Sequence, residues 1–242
     1  MIFHRTTCAR VLTLTRTFTS TTAAAMLSHT NPNSADYISQ APIRKHIPRH
    51  RSWPYTEGDF SRSDERDDDN FYDQPRYVAH IDDGAIARLT TYFDTAIPRK
   101  GRILDFCTSW HSWYPDDRVS AVQNEELKVY GIGMNKPELD KNQLFKNHPG
   151  RALVLDLNKN PDIRAQFPKD ESGELLRFDT ATCTVSIDYL NKPVEVLSSL
   201  RECMNQEGKV HLIISNRCFP TKAVKIWLEL DTDERLQLVG GM

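Results

Sequence analysis

The chain has 242 residues, a formal net charge of −2 at pH 7 and 39% hydrophobic residues. This size supports one core of ordinary dimensions with appendages, and it excludes two full domains. The near-neutral charge argues against a nucleic-acid binder held by phosphate contacts, and no apolar run is long enough to span a bilayer. None of the five cysteines forms a C-x-x-C pair, so neither a zinc site nor a disulfide framework is indicated.

Residues 1–27 contain arginines and many threonines but no acidic residue. Such a composition is typical of a mitochondrial transit peptide, and it predicts a location in the mitochondrial matrix. A disordered basic tail on a cytoplasmic protein is the alternative. Residues 28–52 are polar and contain Pro32, Pro42 and Pro48, which predicts a linker. Residues 53–242 are therefore expected to form the folded domain, and the N-terminal extension before them is expected to be disordered.

The predicted elements of this domain alternate between helices and short buried strands. Glu57–Asp73 is rich in acids and is predicted to be a solvated segment. Asp82 is a candidate N-cap for a helix that runs to Phe93, because apolar residues recur at helical spacing. Five apolar runs fit strands buried on both faces: Ile103–Phe106, Val129–Ile132, Ala152–Leu155, Phe178–Val185 and Val210–Ile214. Further helices are predicted after Asn135, after Asn191 and over Thr221–Leu230.

This alternation predicts an α/β fold with a doubly wound, mostly parallel sheet and right-handed crossovers. In such sheets, ligands bind beyond the carboxyl ends of the strands, where the winding reverses. Asp105, Thr108, Ser109 and Trp110 follow the first predicted strand. They are therefore expected on the floor of a binding site.

Several stretches resemble the class I S-adenosylmethionine-dependent methyltransferase superfamily, and more narrowly a methyltransferase-like branch of it. The stretches are Phe71–Asp82, Leu104–Trp110, Val129–Asn135, Cys183–Leu190 and Ser215–Ala223. The resemblance covers the chain from about residue 53 to its end and implies a Rossmann-like fold with strand order 3-2-1-4-5. It also implies S-adenosyl-L-methionine as cofactor, but it does not identify the substrate that is methylated.

The resemblance assigns roles to particular residues. Those placed at the cofactor are Asp105, Thr108, Ser109, Trp110, Gly133, Asn135, Asp156 and Ser186. Those placed at the methyl acceptor are Asn216, Arg217 and Phe219, and the candidate catalytic residues are Asp188 and Tyr189. Structural alternatives stay open. Asp105 can be structural, Asp156 and Asp188 can be caps, and Trp110 can be plain packing. No metal is implied.

Other residues near these positions suit a ligand. The guanidinium of Arg217 can hold an anionic acceptor by a bidentate contact, with an ion pair to a neighbouring acid as the alternative. Arg76 and His80 precede the helix that is predicted to begin at Asp82, and they can close over the site. A surface ion pair is the alternative. Asn135 or Glu138 can stand in for the acid that usually binds the ribose hydroxyls, because Gly133 occupies the usual position of that acid.

Two further departures from the superfamily bear on function. Residues 108–112 contain no glycine, although superfamily members usually have a glycine-rich turn there. Superfamily domains also usually continue past the fifth strand to two more strands, one of them antiparallel. Since this chain stops soon after the fifth predicted strand, we expect the final strands to be missing and one sheet edge to be open.

Two functions follow as hypotheses. The first is an S-adenosylmethionine-dependent methyltransferase whose acceptor is a small molecule or a protein. The second is a catalytically inactive methyltransferase-like module that acts through protein–protein contacts, with the open sheet edge as a possible partner site. A nicotinamide oxidoreductase is less favoured, because Lys136 stands where the third glycine of a dinucleotide fingerprint belongs. No nucleic-acid partner is expected.

Overall fold

The computed structural model describes residues 12–17, 45–170 and 172–242. Most of the predicted transit peptide, at residues 1–11 and 18–27, lies outside the described residues, and so does most of the predicted linker, at residues 28–44. Within the described ranges, no helix is both long enough and apolar enough to cross a membrane.

The described strands form one six-stranded sheet. They are β1 (Leu12–Thr17), β2 (Gly101–Phe106), β3 (Leu127–Gly133), β4 (Ala152–Val154), β5 (Phe178–Thr184) and β6 (Met204–Ile214). The order across the sheet is β1-β6-β5-β2-β3-β4, and neighbouring strands from β6 to β4 run parallel. Numbered from β2, the five parallel strands have the order 3-2-1-4-5. The predicted Rossmann-like sheet is therefore confirmed.

Helices cover both faces of this sheet. They are α1 (Asp68–Phe71), α2 (Asp83–Ala96), α3 (Asp116–Gln123), α4 (Lys136–Lys141), α5 (Pro193–Glu202), α6 (Lys225–Glu229) and α7 (Thr232–Gly241). Short 3-10 helices lie at Glu57–Phe60, Pro149–Arg151 and Ile187–Tyr189.

The alternation of side chains along β2 divides the core between the two sheet faces. Ile103 packs with the apolar residues of α2 and α3, whereas Leu104 packs with those of α5, α6 and α7. Both side chains are completely buried. Burial of successive residues on opposite faces is the pattern of a parallel strand covered by helices on both sides.

All three helices begin where they were predicted, and the predicted N-caps are correct at two of the three. The side chain of Asp82 accepts a hydrogen bond from the backbone N–H of Ala85 and caps α2. Asn135 caps α4 through a hydrogen bond from the backbone N–H of Glu138. The third predicted cap is wrong, because α5 has Lys192 rather than Asn191 at its N-cap and lacks a side-chain cap.

The carboxyl end also departs from the prediction over Thr221–Leu230. Helix α6 begins only at Lys225, because the N–H groups of Val224 and Lys225 donate to the backbone carbonyls of Asp188 and Ser61. A further helix, α7, follows it. Its start carries a capping box formed by an aspartate at the N-cap and a glutamate three residues later, a signal that the sequence contains.

The sheet edge that we expected to be open beside β6 is covered. Strand β1 pairs with β6 in antiparallel register, from Leu12 opposite Ile214 to Thr17 opposite Lys209. An antiparallel edge strand is thus present, but it comes from the predicted transit peptide and not from the carboxyl end. The extension that we predicted to be disordered contains this strand, and the rest of that extension up to residue 44 lies outside the described residues.

Asp68 ties the acidic segment before α2 to the loop after β6. Its carboxylate accepts hydrogen bonds from Arg62 Nη1 at 2.7 and 3.0 Å and from Asn158 Nδ2 at 2.9 Å. Lys222 Nζ lies 3.0 Å from the same carboxylate, and the Lys222 side chain is only 1% exposed. The prediction of a solvated segment is therefore wrong for Asp68, because two buried cations neutralise it.

We predict that Asp68→Asn lowers the free energy of unfolding by about 3–5 kcal/mol, because Arg62 and Lys222 then lose the buried carboxylate that they share. They keep only the more distant carboxylates of Glu65 and Asp64, at 3.6 and 3.7 Å. Asp69→Asn is the matched control, since Asp69 is 68% exposed and its ion pair with Lys159 is solvated. Chemical denaturation of both variants measures the difference. Equal stability of the two variants would show that the buried cations do not depend on Asp68.

Candidate functional site

A cavity of about 680 Å³ lies at the carboxyl ends of the parallel strands. Its walls come from the residues that follow β2 to β6 and from the segment between residues 68 and 81. A cavity of this volume is within the range of small-molecule sites, about 300–1,000 Å³. The strand tips are therefore open to a ligand and are not blocked by packed side chains.

The structure brings most of the predicted site residues together around this cavity. Those that line it are Asp105, Thr108, Ser109, Trp110, Gly133, Asp156, Ser186, Tyr189, Asn216, Arg217 and Phe219. Two predicted residues do not line it. Asn135 lies behind the cavity at the start of α4, and Asp188 is buried beneath its floor.

The carboxylate of Asp105 organises the turn after β2. Thr108 Oγ1 and Ser112 Oγ donate to its Oδ2 at 2.6 and 2.7 Å, and Thr182 Oγ1 donates to its Oδ1 at 2.8 Å. Burial raises the pKa of Asp105, and these three hydroxyl donors oppose the rise. The hydroxyl of Tyr114 lies 2.8 Å from Thr182 Oγ1 and extends the network. Asp105 therefore acts first as the centre of a buried polar network.

The turn adopts the conformation of a glycine turn without containing glycine. Cys107 has a φ of 55°, which is the left-handed region that glycine adopts most easily. The N–H of Thr108 then donates to the carbonyl of Ile132 in β3 at 2.8 Å and holds the turn against the neighbouring strand. Cys107 thus takes up, without being a glycine, the left-handed conformation that glycine adopts most easily.

Gly133 is required by this turn. A Cβ atom at Gly133 would lie 2.3 Å from the carbonyl oxygen of Thr108 and 2.9 Å from Leu139 Cδ2. An acidic side chain therefore does not fit at this position while the turn keeps its place. This close backbone contact is the physical reason for the missing ribose acid at the end of β3.

Glu138 presents a carboxylate at the same edge of the cavity. Its Oε2 accepts from Ser109 Oγ at 2.5 Å, and its Oε1 accepts from the backbone N–H of Arg76 at 2.6 Å. Asn135 is the other candidate substitute for the ribose-binding acid. It uses its Oδ1 to cap α4 and its Nδ2 to donate to the carbonyls of Tyr72 and residue 73. Glu138 lines the cavity and Asn135 does not.

Asp156 combines a capping role with exposure to the cavity. Its Oδ1 accepts from the backbone N–H groups of Asn158 at 2.8 Å and Lys159 at 3.3 Å. Its Oδ2 has Lys159 Nζ at 3.9 Å as an ionic neighbour. Burial is the main cause that raises the pKa of this carboxyl. One oxygen thus caps the turn after β4, and the other is available to a donor group in the cavity.

Aromatic and basic side chains form the opposite wall. Tyr189 Oη accepts from the backbone N–H of Phe219 at 2.9 Å, and this bond holds the loop after β6. The Phe219 ring packs edge-on against His80 with centroids 5.0 Å apart. Burial, followed by the charge of Arg76, lowers the pKa of His80. Burial raises the pKa of the Tyr189 hydroxyl, which therefore stays protonated at neutral pH.

The remaining predicted residues lie on the loops after β5 and β6. Ser186 Oγ donates to the carbonyl of Thr184 at 2.9 Å. Asn216 and Arg217 are exposed at the cavity mouth. Arg76 and His80 line the cavity as the sequence suggested, but sequence reasoning missed Tyr72, residues 78, 79 and 81, and Asn158. The contacts of Asn158 join segments far apart in the chain. The aromatic run before α2 was the available signal for the first of these residues.

Asp188 is a buried carboxyl rather than an exposed catalytic group. It is 4% exposed, and its Oδ2 has no hydrogen-bond partner among the described residues. Burial raises its pKa to about 7. A proton acceptor needs an accessible carboxylate, which a buried side chain outside the cavity lining does not provide. Asp188 is not a cap either, because it lies within the 3-10 helix Ile187–Tyr189, whose N-cap is Ser186.

The sheet order and the cavity at the strand tips define a Rossmann-like fold of the methyltransferase type. No protein family profile matches the sequence, and no curated protein matches it. Among solved structures, a SAM-dependent methyltransferase from Aquifex aeolicus is 15% identical, with a TM-score of 0.39, and the match covers 66% of this chain and 86% of that one.

Two other solved structures are also similar. The YcgJ protein from Bacillus subtilis is 16% identical at a TM-score of 0.35, over 51% of this chain and 48% of that one. The plantazolicin methyltransferase BpumL, in complex with SAH, is 13% identical at a TM-score of 0.38, over 62% of this chain and 58% of that one. The chain thus spans about half of the length of these two proteins. Likeness at this level does not transfer an activity, cofactor or substrate to this chain.

We predict that Asp188→Asn stabilises the protein at pH 8 by about 1–4 kcal/mol and has little effect at pH 4. The folded-state pKa of Asp188, about 7, exceeds the value near 3.8 of an unfolded chain, so the wild-type protein loses stability as the pH rises between them. The asparagine amide does not ionise in this pH range, so the variant does not lose stability in this way. Thermal denaturation from pH 4 to pH 8 measures the effect, and parallel curves for both proteins would refute it.

Proposed function

We propose that this protein binds S-adenosyl-L-methionine in the cavity at the strand tips and transfers its methyl group to an acceptor. The observation that carries this proposal is the open cavity of about 680 Å³ at the switch point of a 3-2-1-4-5 sheet. This volume suits a nucleoside donor together with part of an acceptor.

The residues present fit the donor at its adenine and ribose ends. Asp156 keeps one carboxylate oxygen available at the cavity, where it suits the exocyclic amine of adenine. Each oxygen of Glu138 accepts one hydrogen bond from the protein, from Ser109 or from Arg76, and has a second lone pair for a ribose hydroxyl. Trp110 lines the same cavity and offers an apolar face.

The chemistry requires alignment more than acid–base catalysis. S-adenosyl-L-methionine supplies a methyl group already activated by its sulfonium. The chain would hold the acceptor in line with that methyl group and exclude water from the reacting centre. The rigid turn at residues 107–113 and the wall formed by residues 72–81 suit these two tasks. This reaction therefore does not require a catalytic triad.

A non-catalytic module is the second candidate. The observation in its favour is that the polar groups of the turn satisfy one another, because Asp105 accepts from Thr108, Ser112 and Thr182. A turn that is complete in itself needs no ligand. In that case the function would come from contact with a protein partner. The wild-type protein and a variant with an altered cavity would capture that partner equally well.

The donor-binding test uses calorimetric titration with S-adenosyl-L-methionine and with its demethylated product. We predict saturable binding of both, and about tenfold weaker binding to Asp156→Ala, because a buried acceptor of one hydrogen bond is lost. Asp162→Ala is the matched control, since Asp162 lies outside the cavity and pairs with Arg164 on the surface. No heat at millimolar ligand would refute donor binding and favour the non-catalytic module.

We also propose that residues 1–27 direct the protein to mitochondria. A fusion of residues 1–27 to a fluorescent protein is expected in mitochondria, and replacement of Arg5, Arg10 and Arg16 by glutamine is expected to abolish import. Because β1 lies within this segment, processing after Thr17 would remove the strand that covers β6. Mass spectrometry of the mature protein shows whether β1 is retained. A cytosolic fusion would contradict the proposal.

A further inference from the structure

We propose that Arg76, Arg217 and His80 form an anion-binding site in the acceptor half of the cavity, and that this site takes the carboxylate or phosphate group of the methyl acceptor. All three residues line the one cavity. This inference rests on the proposed function, because it names the substrate class of the same site.

The guanidinium of Arg76 is held in place without an anionic partner. Its Cζ lies 4.4 Å from the centroid of the Phe71 ring and 5.8 Å from that of Phe219. The backbone N–H of Arg76 donates to Glu138 Oε1 at 2.6 Å, which anchors the residue. Among the described residues, its guanidinium has no ion pair and no hydrogen bond. A guanidinium stacked on a ring keeps its N–H edge available for a bidentate anion.

Arg217 is a second cation without a partner at the same wall. Its backbone is anchored by Ser215, whose Oγ accepts from the Arg217 N–H and donates to the Arg217 carbonyl, both at 3.1 Å. Its guanidinium makes no ion pair or hydrogen bond with any residue that the structure describes. Arg217 stands two positions before Phe219, the ring that also packs against Arg76 and His80.

The acidic groups of the cavity do not neutralise these cations. Asp68 lines the cavity, but its carboxylate is bonded to Arg62 and Lys222. Glu138 keeps its charge and acts on His80, but it bonds the backbone N–H of Arg76 and not the guanidinium. Asp105 is buried within its own hydroxyl network. Asp156 has Lys159 as its ionic neighbour. No carboxylate of the described residues therefore pairs with Arg76 or Arg217, and both guanidinium groups are left for a ligand. Planar guanidinium groups bind carboxylates and phosphates through paired hydrogen bonds, so the complementary ligand group is one of these anions.

The donor also carries a carboxylate, and this is the competing source of the anion. A comparison of two probes separates the sources, because S-adenosylhomocysteine contains the amino-acid carboxylate and 5′-methylthioadenosine lacks it. Inorganic phosphate is the probe for the acceptor group. It is titrated calorimetrically, at constant ionic strength, into the free protein and into protein saturated with S-adenosylhomocysteine.

We predict that phosphate binds equally well with and without S-adenosylhomocysteine. Arg217→Gln and Arg76→Gln are each expected to weaken phosphate binding about tenfold or more, the effect of losing a charge-assisted hydrogen-bond pair. Arg177→Gln is the matched control and should not change it. Arg177 is exposed, lies outside the cavity and donates to the backbone carbonyls of Glu202 and Met204.

Three results would overturn the inference. Phosphate that competes with S-adenosylhomocysteine but not with 5′-methylthioadenosine would assign the cations to the carboxylate of the donor. Absence of phosphate binding to the saturated protein, or binding that the arginine variants do not weaken, would remove the anion site and leave donor binding intact. Absence of S-adenosylhomocysteine binding would instead overturn the proposed function, and with it the assignment to an acceptor.

Discussion

The hydrogen bonds to the Asp105 carboxylate are the interaction on which the candidate site depends. They join the tip of β2 to its own turn through Thr108 and Ser112, and to the neighbouring strand β5 through Thr182. With the turn held in this way, Cys107 keeps a left-handed backbone at a cost of about 1–2 kcal/mol. The carbonyl of the turn then lies so close to Gly133 that no larger residue fits there. The shape of the cavity floor therefore follows from one buried carboxylate.

The parts of this arrangement that local patterns determine could be predicted from the sequence. Buried strands such as Ile103–Phe106 appear as short apolar runs, because both of their faces are covered. Right-handed crossovers then leave few possible strand orders, and the switch-point rule locates the site. The caps at Asp82 and Asn135 are equally local, since a side chain and a nearby N–H group are sufficient to form them.

Contacts between distant segments could not be predicted in this way. The pairing of β1 with β6 and the burial of Asp68 against Lys222 each join residues far apart in the chain. Composition alone describes the first segment as a targeting sequence and the second as solvated. Both interpretations omit the partner that tertiary structure supplies. The carboxylate of Glu138 was considered only as a substitute, because its hydrogen bond with Ser109 depends on how α4 packs beside the turn.

The charges around the cavity also constrain how two substrates would share it. A sulfonium donor is cationic at its reacting centre, and the wall that carries Arg76 and Arg217 is cationic as well. Occupation of that wall by an anionic acceptor reduces the repulsion between the wall and the sulfonium. The two substrates would therefore strengthen each other's binding, and thermodynamic linkage makes that coupling equal in both directions. Methyl transfer turns the sulfonium into a neutral thioether, which removes this attraction and so favours release of the products.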